Sequence, residues 1–277
     1  MFLTKTTRKQ KNFKNLTKRF LHGNHIIGSQ LSSLGISKTS SRNNNVKITE
    51  ATEEEITKAM NLAKEATPLY RKKTTKEVFN FLQTIKKLLS QREEPILAIA
   101  SNETGLSKGR LAGEFQRTLF QIQSFSDAIL DGSFTETRLF VQEGKPDLRR
   151  TLIPIGPVGV FGASNFPFAY SVAGGDTISA LATKNPVIHK AHPAHAGTCE
   201  LVGETIQDAV RESNMPEGIF SMLHGEEFVG GKIVSHPIIK GIGFTGSIPG
   251  GRALLDIASK RKIPIPVYAE MGSVNPM

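Results

Sequence analysis

The chain has 277 residues, enough for one large domain or two small ones around a sizeable core. Its hydrophobic share of 38% and charged share of 22% are those of a globular protein, no run approaches the ~18 apolar residues of a membrane span, and the single cysteine, Cys199, excludes internal disulfides and a cysteine-based metal cluster. The net charge of +10 is local: residues 1–49 hold ten Lys or Arg and no acid, and the remainder carries 25 basic and 25 acidic side chains.

Residues 1–49 therefore read as a basic, solvated and flexible tail. A targeting peptide is a poorer fit, because the stretch is lysine-rich and short of serine. A nucleic-acid arm is poorer still, because few aromatics interleave and no recognition module follows. Neither a nucleic-acid partner nor a membrane is expected, and the lone cysteine favours the cytoplasm.

Residues 50–133 read as helices. Thr52 and Glu55 form a capping box before the stripe Ile56, Ala59, Met60 and Ala63. A second stripe runs through Val78, Phe79, Leu82, Ile85, Leu88 and Leu89. A short helix over about 95–103 stops near Gly105, and a longer one over about 107–130 carries Leu111, Phe115, Leu119, Ile122, Phe125 and Ile129 on one side. In 134–153 alternation replaces the helical period and "EGKPD" supplies a turn, which predicts a β-hairpin arm.

From 154 onward short β-rich runs alternate with helical spacing. Strands are predicted at about 158–162, 186–191, 218–223, 240–244 and 265–270, with helices at about 169–183, 197–212, 227–235 and 250–260. Helical crossovers between buried strands imply an α/β fold with a five-stranded parallel, Rossmann-like sheet over 154–277. Ligands bind such sheets outside the carboxyl ends of the strands. The polar residues there are Asn165, Lys190, Gly225 and Glu226, the run Thr245-Gly246-Ser247, and Glu270.

That edge suits a dinucleotide. "FTGSIPGGRALLDIA" is a strand, a glycine turn and a helix start, whose free N–H groups attract a pyrophosphate, with the Ser247 hydroxyl as a further donor. A plain βα turn is the alternative. The G-x-G-x-x-G pattern is absent. Lys190 can bind ribose hydroxyls or a 2′-phosphate, and no acid follows it, which tolerates NADP; Glu226 and Glu227 argue for NAD. His189, His192 and His195 have metal-like spacing, but Pro193 breaks a helix there, so they read as loop and helix-entry packing with no metal.

The segments "GPVGVFGASNFPFAYSVAGGDTISAL", "VIHKAHPAHAGT", "MPEGIFSMLHG", "HPIIKGIGFTGSIPGGRALLD" and "IPVYAEMGSVNP" occur in order. Together they resemble the aldehyde dehydrogenase superfamily over about 50–277, most closely its α-ketoglutaric semialdehyde (2,5-dioxopentanoate) branch. The segment "ETGLSKGRLAGEFQRTLFQIQSF" is similar to that branch as well. The resemblance implies NAD(P)+-dependent oxidation of a small aldehyde. It implies Asn165 as the oxyanion donor and Glu270 as the general base. Phe166, Lys190, Gly246, Ser247 and Gly251 are implied as cofactor contacts, and a homo-oligomer is implied through the 134–153 arm.

In that superfamily the nucleophilic cysteine follows the glutamate by a few tens of residues, whereas this sequence ends at Met277, seven residues after Glu270. The sequence therefore reads as the N-terminal half of such an enzyme, with the catalytic domain absent. The alternative is an inactive nucleotide-binding remnant, or a half-enzyme that needs a second chain. Cys199, in a predicted helix, reads as a residue without special chemistry.

Overall fold

A computed structural model of the chain describes residues 24–32, 37–39 and 47–272. Its centre is a seven-stranded sheet in the order β11-β10-β7-β8-β9-β1-β2. Five strands run parallel: β7 (Val158–Phe161), β8 (Val187–Lys190), β9 (Phe220–Leu223), β10 (Gly241–Thr245) and β11 (Val267–Glu270). Their register aligns the carboxyl ends, with Phe244 opposite Phe161, Phe161 opposite Lys190, and Thr245 opposite Glu270.

Alternate residues serve two cores. Val160, Val187, Phe220 and Met222 face one layer, while Phe161, Ile188, Leu223 and Ile242 face the other. The first layer holds α2 (Thr75–Gln91), α3 (Glu93–Thr104), α4 (Lys108–Asp131), α5 (Gly175–Ala182) and α6 (Ala196–Glu212). The second holds α7 (Glu227–Ser235), α8 (Ile248–Ser259) and most of the apolar face of α1 (Glu53–Arg71). Helix ends follow local chemistry. Thr52–Glu55 and Thr74–Glu77 form complete capping boxes at the starts of α1 and α2. Gly105 and Gly132 close α3 and α4 in the left-handed region, at φ 70° and 76°.

Two sequence expectations need correction. The tail assigned to 1–49 contains β1 (His25–Ile27) and β2 (Gln30–Ser32), an antiparallel hairpin that extends the sheet beyond β9, so the sheet has seven strands rather than five. Ile26 and Ile27 are buried, one in each core, because apolar burial outweighs the basic composition around them. Gly28, at φ 56°, opens the two-residue turn of this hairpin. The hairpin is fixed to the start of α1: Ser32 Oγ donates to Glu55 Oε1 at 2.5 Å, and Glu55 Oε2 lies 3.7 Å from His25 Nε2. A further antiparallel pair joins β3 (Ser37–Thr39) to β4 (Lys47–Thr49). The rest of the assigned tail, residues 1–23, 33–36 and 40–46, lies outside the described residues, as do 273–277.

The hairpin expected in 134–153 is present as β5 (Arg138–Phe140) and β6 (Leu148–Arg150). It stands apart from the main sheet, and Leu139, Phe140, Val141 and Leu148 on it are exposed.

Candidate active site

A pocket of about 390 Å³ opens at the carboxyl ends of β7, β10 and β11. Asn165, Phe166 and Tyr170 line one wall, and Thr245, Gly246, Ser247 and Glu270 line the other. Five of the seven residues that the resemblance implies for the site, Asn165, Phe166, Gly246, Ser247 and Glu270, thus meet in one place. Lys190 and Gly251 are not part of its lining.

The Asn165 loop leaves β7 and doubles back. The Ala163 N–H donates to the Tyr170 carbonyl at 2.8 Å. A Cβ at Gly162 would stand 2.9 Å from the Ser171 Cα, so the fold-back requires glycine there. Three side chains from other elements hold the loop. Glu114 of α4, itself buried, accepts from the Phe168 and Ala169 N–H groups through one oxygen at 2.8 and 3.0 Å. Arg110, one turn earlier, donates to the Asn165 carbonyl at 2.8 Å and lies 4.9 Å from the centre of the Phe166 ring. His195 Nε2 is 2.9 Å from the Ala163 carbonyl. The backbone of Asn165 is therefore held in place, and the residue is exposed in the pocket lining.

The opposite wall is the β10–α8 turn. The Gly246 N–H donates to the Glu270 carbonyl at 3.0 Å, which ties the turn to the end of β11. Ser247 caps α8, accepting from the Gly250 N–H at 3.3 Å. With Pro249 contributing no N–H, the donors at this helix start are the Ser247 hydroxyl and the Ile248 N–H, which has no intrahelical acceptor. The glycines also have an internal reason. A Cβ at Gly246 would stand 2.7 Å from the Phe244 ring, and one at Gly251 would stand 2.4 Å from Met271. A positive helix end with an exposed hydroxyl suits a phosphate.

Glu270 projects from the exposed edge strand. Asp176, in the first turn of α5, lies over β10, where a Cβ at Gly243 would be 2.9 Å from its Oδ2. Asp176 is exposed as a residue, but desolvation of its carboxyl where it lies over β10, and then the nearby charge of Glu270, hold that carboxyl above the usual carboxylate range.

Lys190 ends β8, three strands from Glu270 in the order β8-β7-β10-β11. At ~4.8 Å per strand this is a span of about 14 Å, the scale of an extended dinucleotide. The positive charge of Lys190 is felt by two buried histidines. His189 is lowered to about 3 by burial first and then by Lys190, and His224 to about 3 by burial, His25 and Lys190. The three histidines of the 189–195 stretch serve packing and helix entry. His189 Nδ1 is 3.3 Å from Thr177 Oγ1, His192 accepts from the Ala194 N–H, and His195 reaches Ala163.

Cys199 is more engaged than a plain helix residue. Its Sγ is 3.2 Å from His195 Nδ1 and 3.7 Å from Ser171 Oγ, fully buried behind the loop wall. Burial opposes charge on His195, but Cys199, the Ala163 carbonyl and Glu103 outweigh it and raise the ring to about 9. Sequence reasoning also passed over Arg110, Glu114, Arg117 and Tyr170. For the three on α4 the signal was their polar spacing at 110, 114 and 117 along the flank of the apolar stripe.

Known proteins resemble this chain in sequence and in fold. The α-ketoglutaric semialdehyde dehydrogenase 2 of Azospirillum brasilense is 45% identical over 234 residues, covering 82% of this chain and 45% of that protein. The α-ketoglutaric semialdehyde dehydrogenase of Acinetobacter baylyi is 38% identical over 270 residues, covering 95% and 51%. The chain thus spans about half the length of the curated relatives it matches. Among solved structures, the methylmalonate-semialdehyde dehydrogenase of Oceanimonas doudoroffii superposes with a TM-score of 0.79 at 18% identity, over 91% of this chain and 50% of that one. A salicylaldehyde dehydrogenase of Pseudomonas putida G7 gives 0.79 at 17% identity, over 91% and 52%. These likenesses carry the fold. The aldehyde dehydrogenase family pattern itself matches residues 29–277, so the chain belongs to the aldehyde dehydrogenase family.

Proposed function

We propose that this chain supplies the cofactor-binding side and the oxyanion donor of an NAD(P)+-dependent dehydrogenase that oxidises 2,5-dioxopentanoate to 2-oxoglutarate. The observation that carries the reading is the convergence of Asn165, Ser247 and Glu270 on one pocket at the carboxyl edge of the parallel sheet. The substrate assignment leans on the two relatives above, whose names state it.

The roles follow from placement. The amide of Asn165, carried on a loop whose backbone is held by Arg110 and Glu114, donates to the aldehyde oxygen as charge builds there after nucleophilic addition to the carbonyl carbon. Glu270, on the facing wall, takes up a proton from the attacking group or from water. Ser247 and the Ile248 N–H would hold a cofactor phosphate at the start of α8, and Lys190 a ribose hydroxyl or 2′-phosphate. Phe166 walls the pocket between them, and Gly246 and Gly251 give the turn its shape. When bound, the nicotinamide cofactor supplies the hydride acceptor. Cys199 is sealed behind the Ala163 wall and held to His195, so the thiol that attacks the aldehyde is not this one.

The proposal includes pairing of the β5–β6 hairpin with a second copy of the chain, supported by its exposed Leu139, Phe140, Val141 and Leu148. It places the activity in the cytoplasm, in keeping with one unpaired buried cysteine. Among the described residues no helix is long and apolar enough to cross a membrane.

Titration of the chain with NADP+ and NAD+, followed by backbone amide NMR, tests the reading. Shifts confined to Ser247, Ile248 and the Lys190 strand end are expected, with Lys190→Ala weakening the binding. Absence of saturable shifts with either nucleotide would overturn it.

A further inference from the structure

Arg117 stands one helical turn beyond Glu114 on α4 and touches Tyr170 of the pocket lining. Its Nη2 donates to the Tyr170 hydroxyl at 2.9 Å, and its guanidinium lies 5.2 Å from the centre of the Tyr170 ring. Tyr170 lines the pocket and packs edge-on against Phe166, with ring centroids 5.3 Å apart. A guanidinium held over an aromatic face keeps its outward donors in a fixed fork. The tyrosine hydroxyl, by accepting from Arg117, keeps its own proton to donate.

No carboxylate among the described residues forms an ion pair with Arg117. The nearest acid on its helix, Glu114, spends Oε1 on the Phe168 and Ala169 N–H groups, and its buried Oε2 makes no hydrogen bond among the described residues. Arg110 differs, because it is already taken up by the Asn165 carbonyl and the Phe166 ring. Across the pocket the charge has the opposite sign, with Glu270 in the lining and Asp176 close to it.

We propose that Arg117 and Tyr170 form a carboxylate-binding site at the rim of this pocket, which receives the acid end of a short acidic aldehyde while its carbonyl end meets Asn165. The assignment rests on the reading of the pocket as the aldehyde site, and it names the residues that select the substrate class. Two forces orient the ligand. The Arg117 fork and the Tyr170 proton attract a carboxylate, and Glu270 repels it from the other wall. A neutral aldehyde of the same length receives neither. Selectivity for acidic over neutral aldehydes is thereby placed on α4, outside the cofactor-binding sheet edge.

The test needs no turnover. The isotope-labelled chain is titrated with glutarate, a five-carbon dicarboxylate, and separately with glutaramide, which has the same length and no charge. Glutarate is expected to shift the Arg117 Nε–H and Tyr170 ring signals in the millimolar range, and glutaramide is not. Arg117→Gln and Tyr170→Phe should each weaken glutarate binding about tenfold. Arg117→Lys should fall between, because it keeps the charge and loses the fork. Arg149→Gln, on the distant hairpin, should change nothing. Equal binding of glutarate and glutaramide, glutarate binding unchanged in Arg117→Gln, shifts at Ser247 and Ile248 in place of Arg117, or no shifts at all would each overturn the proposal. NADP+ titration of the same samples separates the two readings, since nucleotide shifts at the β10–α8 turn are independent of Arg117.

Discussion

Replacing Glu114 tests whether the Asn165 loop is held from α4. Glu114 is buried and its Oε1 accepts two N–H groups, from Phe168 at 2.8 Å and Ala169 at 3.0 Å. Both of those residues are themselves buried. Glu114→Ala strands two buried donors at ~1–3 kcal/mol each, and this loss is partly offset because a charged group no longer has to be buried. A net loss of about 2–4 kcal/mol is expected. Glu114→Gln keeps one oxygen for the two donors but weakens a charge-assisted pair, and it places an amide group where Oε2 has no described hydrogen bond; about 1–2 kcal/mol is expected. Urea unfolding followed by circular dichroism measures the loss, with an unchanged slope showing that the compactness of the two states is preserved. Hydrogen exchange localises it: the Phe168 and Ala169 amides should lose protection in both variants, and the α2 amides should not beyond the global change. If Glu114→Ala lay within about 0.5 kcal/mol of the parent and those two amides stayed protected, the clamp would be wrong.

Other outcomes follow from the same geometry. In a version extended to the length of its relatives, Asn165→Ala should lower kcat about 100-fold while NADP+ affinity stays nearly intact, read from steady-state rates and nucleotide titration; the reverse pattern would make Asn165 part of the cofactor floor. His189 and His224 are both lowered to about 3, so they are neutral in the native fold and take up protons more readily when unfolded. Their contribution is present above ~6.5 and is lost as pH falls from there towards 3, so the urea midpoint should drop over that window, and less steeply in His224→Gln. Gly174→Ala places a Cβ 2.6 Å from the Ala169 carbonyl oxygen and 2.8 Å from the Ser171 nitrogen, both backbone, and should cost ~1–3 kcal/mol by thermal unfolding. Removing residues 1–32 takes away buried Ile26 and Ile27 at ~1.5–3 kcal/mol each, so a deletion no less stable than the full chain in urea would show that β1 adds nothing to the sheet.

The parallel core was legible because each of its signals is local. The runs around Val158, Val187, Phe220, Gly241 and Val267 alternate with helical spacing, and crossover handedness does the rest. Thr52–Glu55 and Gly105 marked helix ends through backbone chemistry that needs no tertiary context. The β1–β2 hairpin was illegible for the opposite reason. Three residues per strand are too few for periodicity, and what buries them is β9, far along the chain. The site divides the same way. Asn165, Ser247 and Glu270 stand at strand ends, where position alone marks them. Arg110, Glu114 and Arg117 flank the apolar stripe of a helix that looked purely structural, and only the packing of α4 against the 162–170 loop gives them a task.

The pairing of β1 with β9 also sets an order of events during synthesis. His25 and His224 are joined by a hydrogen bond across 199 positions of sequence. Closing a flexible segment of that length carries an entropic cost of about 5 kcal/mol before any constant is added, and no local contact repays it in advance. On the ribosome His25 emerges long before its partner strand exists. The start of the chain must then wait, with Ile26 and Ile27 uncovered, until β9 has formed beside β8. Among the described residues, the first strand made is thus among the last to lock. Its arrival converts the open flank of β9 into a paired one.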